Sequence, residues 1–163
     1  MSKTKHILKI EDIADSKTVC GNTFSLKRLY DHGFNIPLFI AIPTHVVEKI
    51  DNNIKILDEI VTEIKDYFKE TPLAIRSSAL IEDSRNSSHA GQFLTKTNVR
   101  QKDVRDALIE VIHYAKGQLN NNLEQFSIIV QEFIKPETFG VIFTRNPIGT
   151  REMQIEYGTF NGN

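Results

Sequence analysis

Seven apolar residues, Val47, Ile50, Ile54, Leu57, Val61, Ile64 and Phe68, recur at alternating steps of three and four. That is the period of one face of an α-helix. Such a stripe has to be buried against something. It can form a seam between two copies of the chain, which would make a dimer, or it can face the chain's own core, with a break near Asp51-Asn52-Asn53. The core-facing helix is the reading adopted here. Thr44 suits the N-cap of this helix, and Thr71-Pro72 ends it.

Short β-type runs flank the helix. Ile7 to Ile10 reads as a short strand, Ile36 to Pro43 as an apolar strand bracketed by prolines, and Leu73-Ala74-Ile75 as the start of a strand running into Arg76. Between the first two, Gly21 to Tyr30 reads as a loop entering a helix, with Gly33 as its stop. Residues 82–91 form a polar loop and Gln92 to Val99 another strand. Asp103 to Lys116 is a helix stopped by Gly117. Ser127 to Ile134 is a buried strand. Phe139 to Thr144 returns beside it as an antiparallel hairpin, and Met153 to Tyr157 adds a strand. No clean βαβ rhythm emerges, so the expected class is α+β.

Composition narrows the function classes. Of 163 residues, 40% are hydrophobic, enough for a core. The formal charge of -1 leaves no general field for nucleic acid or an anionic membrane, so any anion site must be local. Cys20 is the only cysteine, which rules out an internal disulfide, and it reads as a small buried residue. The five histidines show no metal-ligand spacing, and metal ligands are left unassigned. No stretch approaches the roughly 20 apolar residues that cross a bilayer, and no signal peptide follows Met1. A cytoplasmic location is expected by default.

The chemistry concentrates at Arg76-Ser77-Ser78-Ala79. A strand delivers a guanidinium, then two hydroxyls and a small residue. Arginine offers phosphate a two-pronged donor, and hydroxyls and loop N–H groups add to it. Glu82 and Asp83 follow, placed to pair with Arg76 or to help hold Mg²⁺. A surface arginine in a serine-rich turn is the alternative reading of the same residues.

The blocks around it resemble the N-terminal nucleotide-binding domain of the phosphoenolpyruvate synthase and pyruvate phosphate dikinase family, to which rifampin phosphotransferases are related. Arg76-Ser77-Ser78-Ala79, Glu82-Asp83, Ser87-Ser88-His89 and Ala90-Gly91-Gln92 occur in the family's order. Val130-Gln131 and Gly140-Val141-Ile142-Phe143-Thr144-Arg145-Asn146-Pro147 match two later blocks. Cys20-Gly21-Asn22-Thr23, Gly33 and Ile36-Pro37-Leu38-Phe39 occupy the early ones. The likeness spans about Val19 to Tyr157.

The resemblance implies an ATP-grasp fold, incomplete at its C-terminus. It suggests an N-terminal lobe over 1–100 with the phosphate-binding motifs, and a partial second lobe over 101–163 with an adenine-binding hairpin. It implies that Gln131, Glu132, Phe133 and Ile134 meet adenine, flanked by Ile75, Val130 and Phe143. Gly21 and Asn22 would form the phosphate loop, with Ser77, Ser78, Gln92 and Thr144 beside the nucleotide. Arg76 and Arg145 would be the catalytic pair. ATP and Mg²⁺ are the implied ligands. The implied partners are a phosphohistidine domain and a phosphoenolpyruvate- or pyruvate-type domain, carried on a longer protein or a separate chain.

The chain departs from the family pattern at Asn22, where a lysine is expected, and at Gly158 to Asn163, where a Gly-Leu-Gly-Glu stretch is expected and Asn161 replaces the metal-binding glutamate. An amide donates a hydrogen bond but no charge. The expected activity is ATP-dependent phosphoryl transfer to a histidine on another domain, which the isolated chain would not complete alone. A degenerate, non-catalytic binding module is the alternative.

Overall fold

The computed structural model describes residues 6–50, 53–79, 94–120, 123, 126–144, 149 and 151–159. The chain divides into two compact units, Met1–Phe133 and Ile134–Asn163. The first unit contains a five-stranded sheet in the order β1-β2-β5-β3-β4, formed by Leu8–Lys9, Phe39–Ile42, Phe126–Glu132, Leu73–Ala79 and Thr95–Val99. Every pairing in it is antiparallel. The α+β class therefore holds.

Helices cover both faces of this sheet. Ile40, Ile42, Leu73, Ile75, Ile128 and Val130 point to one face. There they meet α2 (Thr44–Ile50), α3 (Ile54–Phe68) and α4 (Val104–Gln118). Phe39, Ala41 and Ile129 alternate to the other face, where they pack with Val19 of α1 (Ser16–Asp31) and with Ile10 and Ile13. The period of two along each strand sorts the residues between these two cores.

The apolar stripe serves the first core. Val47, Ile50, Leu57, Val61, Ile64 and Phe68 are buried within the unit. The stripe is broken where expected: α3 restarts after Asn53, whose side chain accepts from the Lys55 N–H at 3.1 Å as an N-cap. Thr44 is the first helical residue, and the first α2 amides, Val46 and Val47, donate to the Pro43 carbonyl. Ile54, at 67% exposed, is the stripe's exception.

Helix α1 starts earlier than expected, and Gly21 to Thr23 are helical. Asp15 caps it, accepting from the Thr18 N–H and hydroxyl. At Cys20 the backbone leaves the helix with φ 61 and ψ 172, which kinks α1. The Val19 carbonyl, released from the helical ladder, accepts from the buried Ser127 hydroxyl on β5. Gly33 closes α1 as expected. Its φ is +78, and Gly33 and Phe34 donate back to Tyr30 and Leu29 as a Schellman motif.

Two expectations are corrected. Phe126–Glu132 does not pair with the returning strand. Apolar on both faces, it is buried almost throughout and sits between β2 and β3. The hairpin is instead β6 (Thr138–Phe143) with β7 (Gln154–Thr159). The first compact unit runs to Phe133 and the second begins at Ile134, and α4 and β5 contribute to the core of the first. Gly117 does not stop α4, which continues to Gln118 with Leu119 as its cap.

Two outcomes follow from this packing. The Cys20 conformation belongs to a region that is nearly glycine's alone and costs other residues about 1–3 kcal/mol. Cys20→Gly should therefore be more stable than Cys20→Ala by about 1–2 kcal/mol in urea unfolding. In the second unit, a Cβ at Gly140 would lie 2.5 Å from the Glu156 carbonyl oxygen. Gly140→Ala should speed amide exchange in Thr138–Phe143 and leave protection of Leu73–Ala79 unchanged.

Candidate functional site

Arg76 occupies the middle of β3, opposite Ile129 of β5 and Thr95 of β4. Its neighbours Leu73, Ala74, Ile75, Ser77, Ser78 and Ala79 are buried, yet Arg76 is exposed. Strand parity puts it on the same face as Ile129, the face covered by α1. A cleft of about 260 Å³ opens there. Asn22, Ser25, Leu26 and Leu29 of α1 line it, with Arg76 and Ser77 of β3 and Ile129 of β5. Among the described residues Arg76 has no ion-pair partner. Its charge is available to a ligand.

The cleft thus joins two motifs that lie 54 positions apart in the chain, Asn22 and Arg76. Gly21 sits just past the kink, half-buried. Ser77 lines the cleft, and both its hydroxyl and its amide donate to the Leu94 carbonyl, at 3.3 and 3.5 Å. Ser78 is fully buried. The hydroxyls of Ser78 and of Thr23, next in sequence to the cleft residues Ser77 and Asn22, are buried with no hydrogen-bond partner. Such hydroxyls are unusual in a folded protein, where buried polar groups nearly always find partners.

The volume decides what fits. Pockets for whole drug-sized ligands run from about 300 to 1,000 Å³. A cleft of about 260 Å³ with one guanidinium and small polar groups suits phosphate groups better than a whole nucleotide. A second depression of about 420 Å³ shares Ser25 and Leu29 with it and adds Arg28, His32 and Phe34. Among the described residues no group of three His, Cys, Asp or Glu could hold a metal ion.

The strand assigned to the base lies elsewhere on β5. Gln131 is buried and donates its side-chain amide to the Pro37 carbonyl at 3.2 Å. The Glu132 and Phe133 amides donate to the Leu38 and Pro72 carbonyls, each at 2.9 Å. Both N–H groups are therefore already used within the protein. Ile134 begins the second unit and is exposed. Thr144 is exposed just after β6. Glu82, Asp83, Gln92 and Arg145 lie outside the described residues.

Sequence reasoning missed Ser25, Leu26 and Leu29 as lining residues. A signal was there: 22, 25, 26 and 29 are one helical face. It went unused because the start of that helix read as a loop. Cys20, expected to be buried, is fully so. No helix among the described residues is long and apolar enough to cross a membrane.

Residues 38–158 match the family model described as pyruvate phosphate dikinase, AMP/ATP-binding domain. An uncharacterised phosphotransferase of Bacillus subtilis, YvkC, is 28% identical over 76% of this chain and 19% of its own length. The phosphoenolpyruvate synthase of Pyrococcus furiosus is 26% identical over 91% of this chain and 18% of its own length. The rifampicin phosphotransferase of Bacillus subtilis is 25% identical over 63% of this chain and 13% of its own length. The chain thus spans less than a fifth of the length of these relatives. With most of its residues inside that match, the chain belongs to the AMP/ATP-binding domain family of pyruvate phosphate dikinase.

Proposed function

We propose that the chain is the phosphate-gripping part of an ATP-grasp phosphotransferase of the phosphoenolpyruvate synthase and pyruvate phosphate dikinase kind. The observation that carries this is the exposed, unpaired Arg76 guanidinium on the cleft shared with Asn22 and Ser77. Phosphoryl transfer depends on holding the polyphosphate in place and balancing the charge that develops on it. Arg76 supplies a fixed cation on a strand paired on both sides, so little reorganisation accompanies binding. Asn22 and Ser25 add neutral donors from α1. Glu82 and Asp83 are the residues proposed to help hold Mg²⁺, which would offset the negative charge of the polyphosphate.

Arg145 is the proposed second cation for the transferring group. The terminal phosphoryl group would leave ATP by cleavage of the bond between its γ-phosphorus and the β–γ bridging oxygen, with ADP departing. A P–N bond would form on a histidine of another domain, in a longer cytoplasmic protein or a separate chain. The Gln131 to Ile134 segment is the proposed base-binding strand, with its Glu132 and Phe133 amides already engaged by the Leu38 and Pro72 carbonyls.

One observation favours the second reading, a module that binds nucleotide without catalysing transfer. Asn22 brings no charge to the α1 wall, which leaves Arg76 as the cation lining this cleft. Both readings require binding at the same place and differ in transfer.

Calorimetry with ATP and Mg²⁺ tests the site. An arginine–phosphate pair contributes about 1.5–3 kcal/mol, so Arg76→Ala should weaken ATP binding about tenfold to a hundredfold. Arg76→Lys should recover part of that loss. Asn22→Lys should tighten binding by up to about tenfold by placing a second cation at the cleft. Equal ATP affinity in wild type and Arg76→Ala would remove the proposal.

A further inference from the structure

We propose that the helical layer on the other side of the sheet carries a second ligand site, for a small amphipathic anion with an acyl-like body and one carboxylate or phosphate head. A cavity of about 540 Å³ lies between the α2–α3 corner and α4. It is larger than the cleft at Arg76 and falls in the range of sites that enclose a whole small molecule. Its position does not depend on the nucleotide reading, because α1 and the Arg76 cleft occupy the opposite face.

The lining divides by chemistry. Ile50, Leu57 and Ile112 form a buried apolar floor. Ile54 and Ile109 stand above it, 67% and 41% exposed, so a sizeable apolar surface faces water. The charged lining residues are Arg105 and Lys116, joined by His113, and no carboxylate lines the cavity among the described residues. Arg105 Nε donates to Asp58 at 3.1 Å and ties α4 to α3.

At the opposite end, His113 and Lys116 follow one another by one helical turn. From Ile109 to Lys116 the helix rises about 10 Å, the length of a medium-chain acyl group. The apolar body would lie over Ile109 and Ile112 and reach towards Ile54, and the anionic head would sit by His113 and Lys116. Lys116 already has an interaction within the protein, so the head would share that side chain with an internal partner.

Decanoate titrated into the full chain tests this, read by calorimetry and amide chemical shifts. Saturable one-to-one binding is expected, with shifts along the 109–116 face of α4 and ATP affinity unchanged. Ile109→Glu should weaken it about tenfold or more, and His113→Gln with Lys116→Gln about fivefold or more. Decanol, with the same body and no charge, should bind at least about tenfold more weakly. Ile54→Gln, at a more exposed position, replaces Ile109→Glu if circular dichroism shows that variant misfolded. The proposal is overturned by absent saturation, by decanol binding as tightly as decanoate, or by variants that bind like wild type. Self-association in sedimentation that Ile109→Glu abolishes, without decanoate binding, would make the face a protein interface and equally overturn it.

Discussion

The pairing of β3 with β5 is what the cleft depends on. Seven residue pairs, from Leu73 with Glu132 to Ala79 with Phe126, lock the two strands in register. Slipping by one residue would turn every side chain to the opposite face. Arg76 would then point into the core that holds Leu73 and Ile75, where an unpaired guanidinium is prohibitively costly. Burial of Ile128 and Val130 on one face and Ile129 on the other makes that slip unaffordable. The position of one charge thus rests on the burial of the apolar residues of the strand beside it.

The second wall depends on a departure from regularity. An unbroken α1 would keep the Val19 carbonyl in its own ladder. The kink at Cys20 frees it for Ser127, and so fastens the start of the second helical segment to β5. Asn22, Ser25 and Leu29 are placed against β3 by that fastening. A conformation suited to glycine, held by a cysteine, is the kind of local strain that accumulates around binding sites.

What could be read from the sequence was mostly local. The stripe from Val47 to Phe68, its break before Ile54 and the Gly33 stop all depend on neighbours within a few positions. Arg76 stood out because a guanidinium among serines at the end of an apolar run has few structural uses. The partner of β5 was not legible. Chain proximity favoured β6, but burial on both faces required strands on both sides, and these come from residues 39–42 and 73–79. The kink was hidden for a related reason, since Cys-Gly-Asn-Thr reads as a loop until Ser127 supplies a partner from across the sheet. Gly117 misled because packing of Ala115 and Leu119 carries α4 past a weak helix former.

The kink also turns the chain's single thiol into a reporter. Cys20 is wholly enclosed at the hinge point of the wall that faces Arg76. A thiol shielded in this way reacts with an alkylating reagent only when the surrounding structure opens. The rate of its modification therefore measures how often that wall lifts from the sheet, with no label added. Any ligand that bridges the two walls should slow the reaction in proportion to its occupancy.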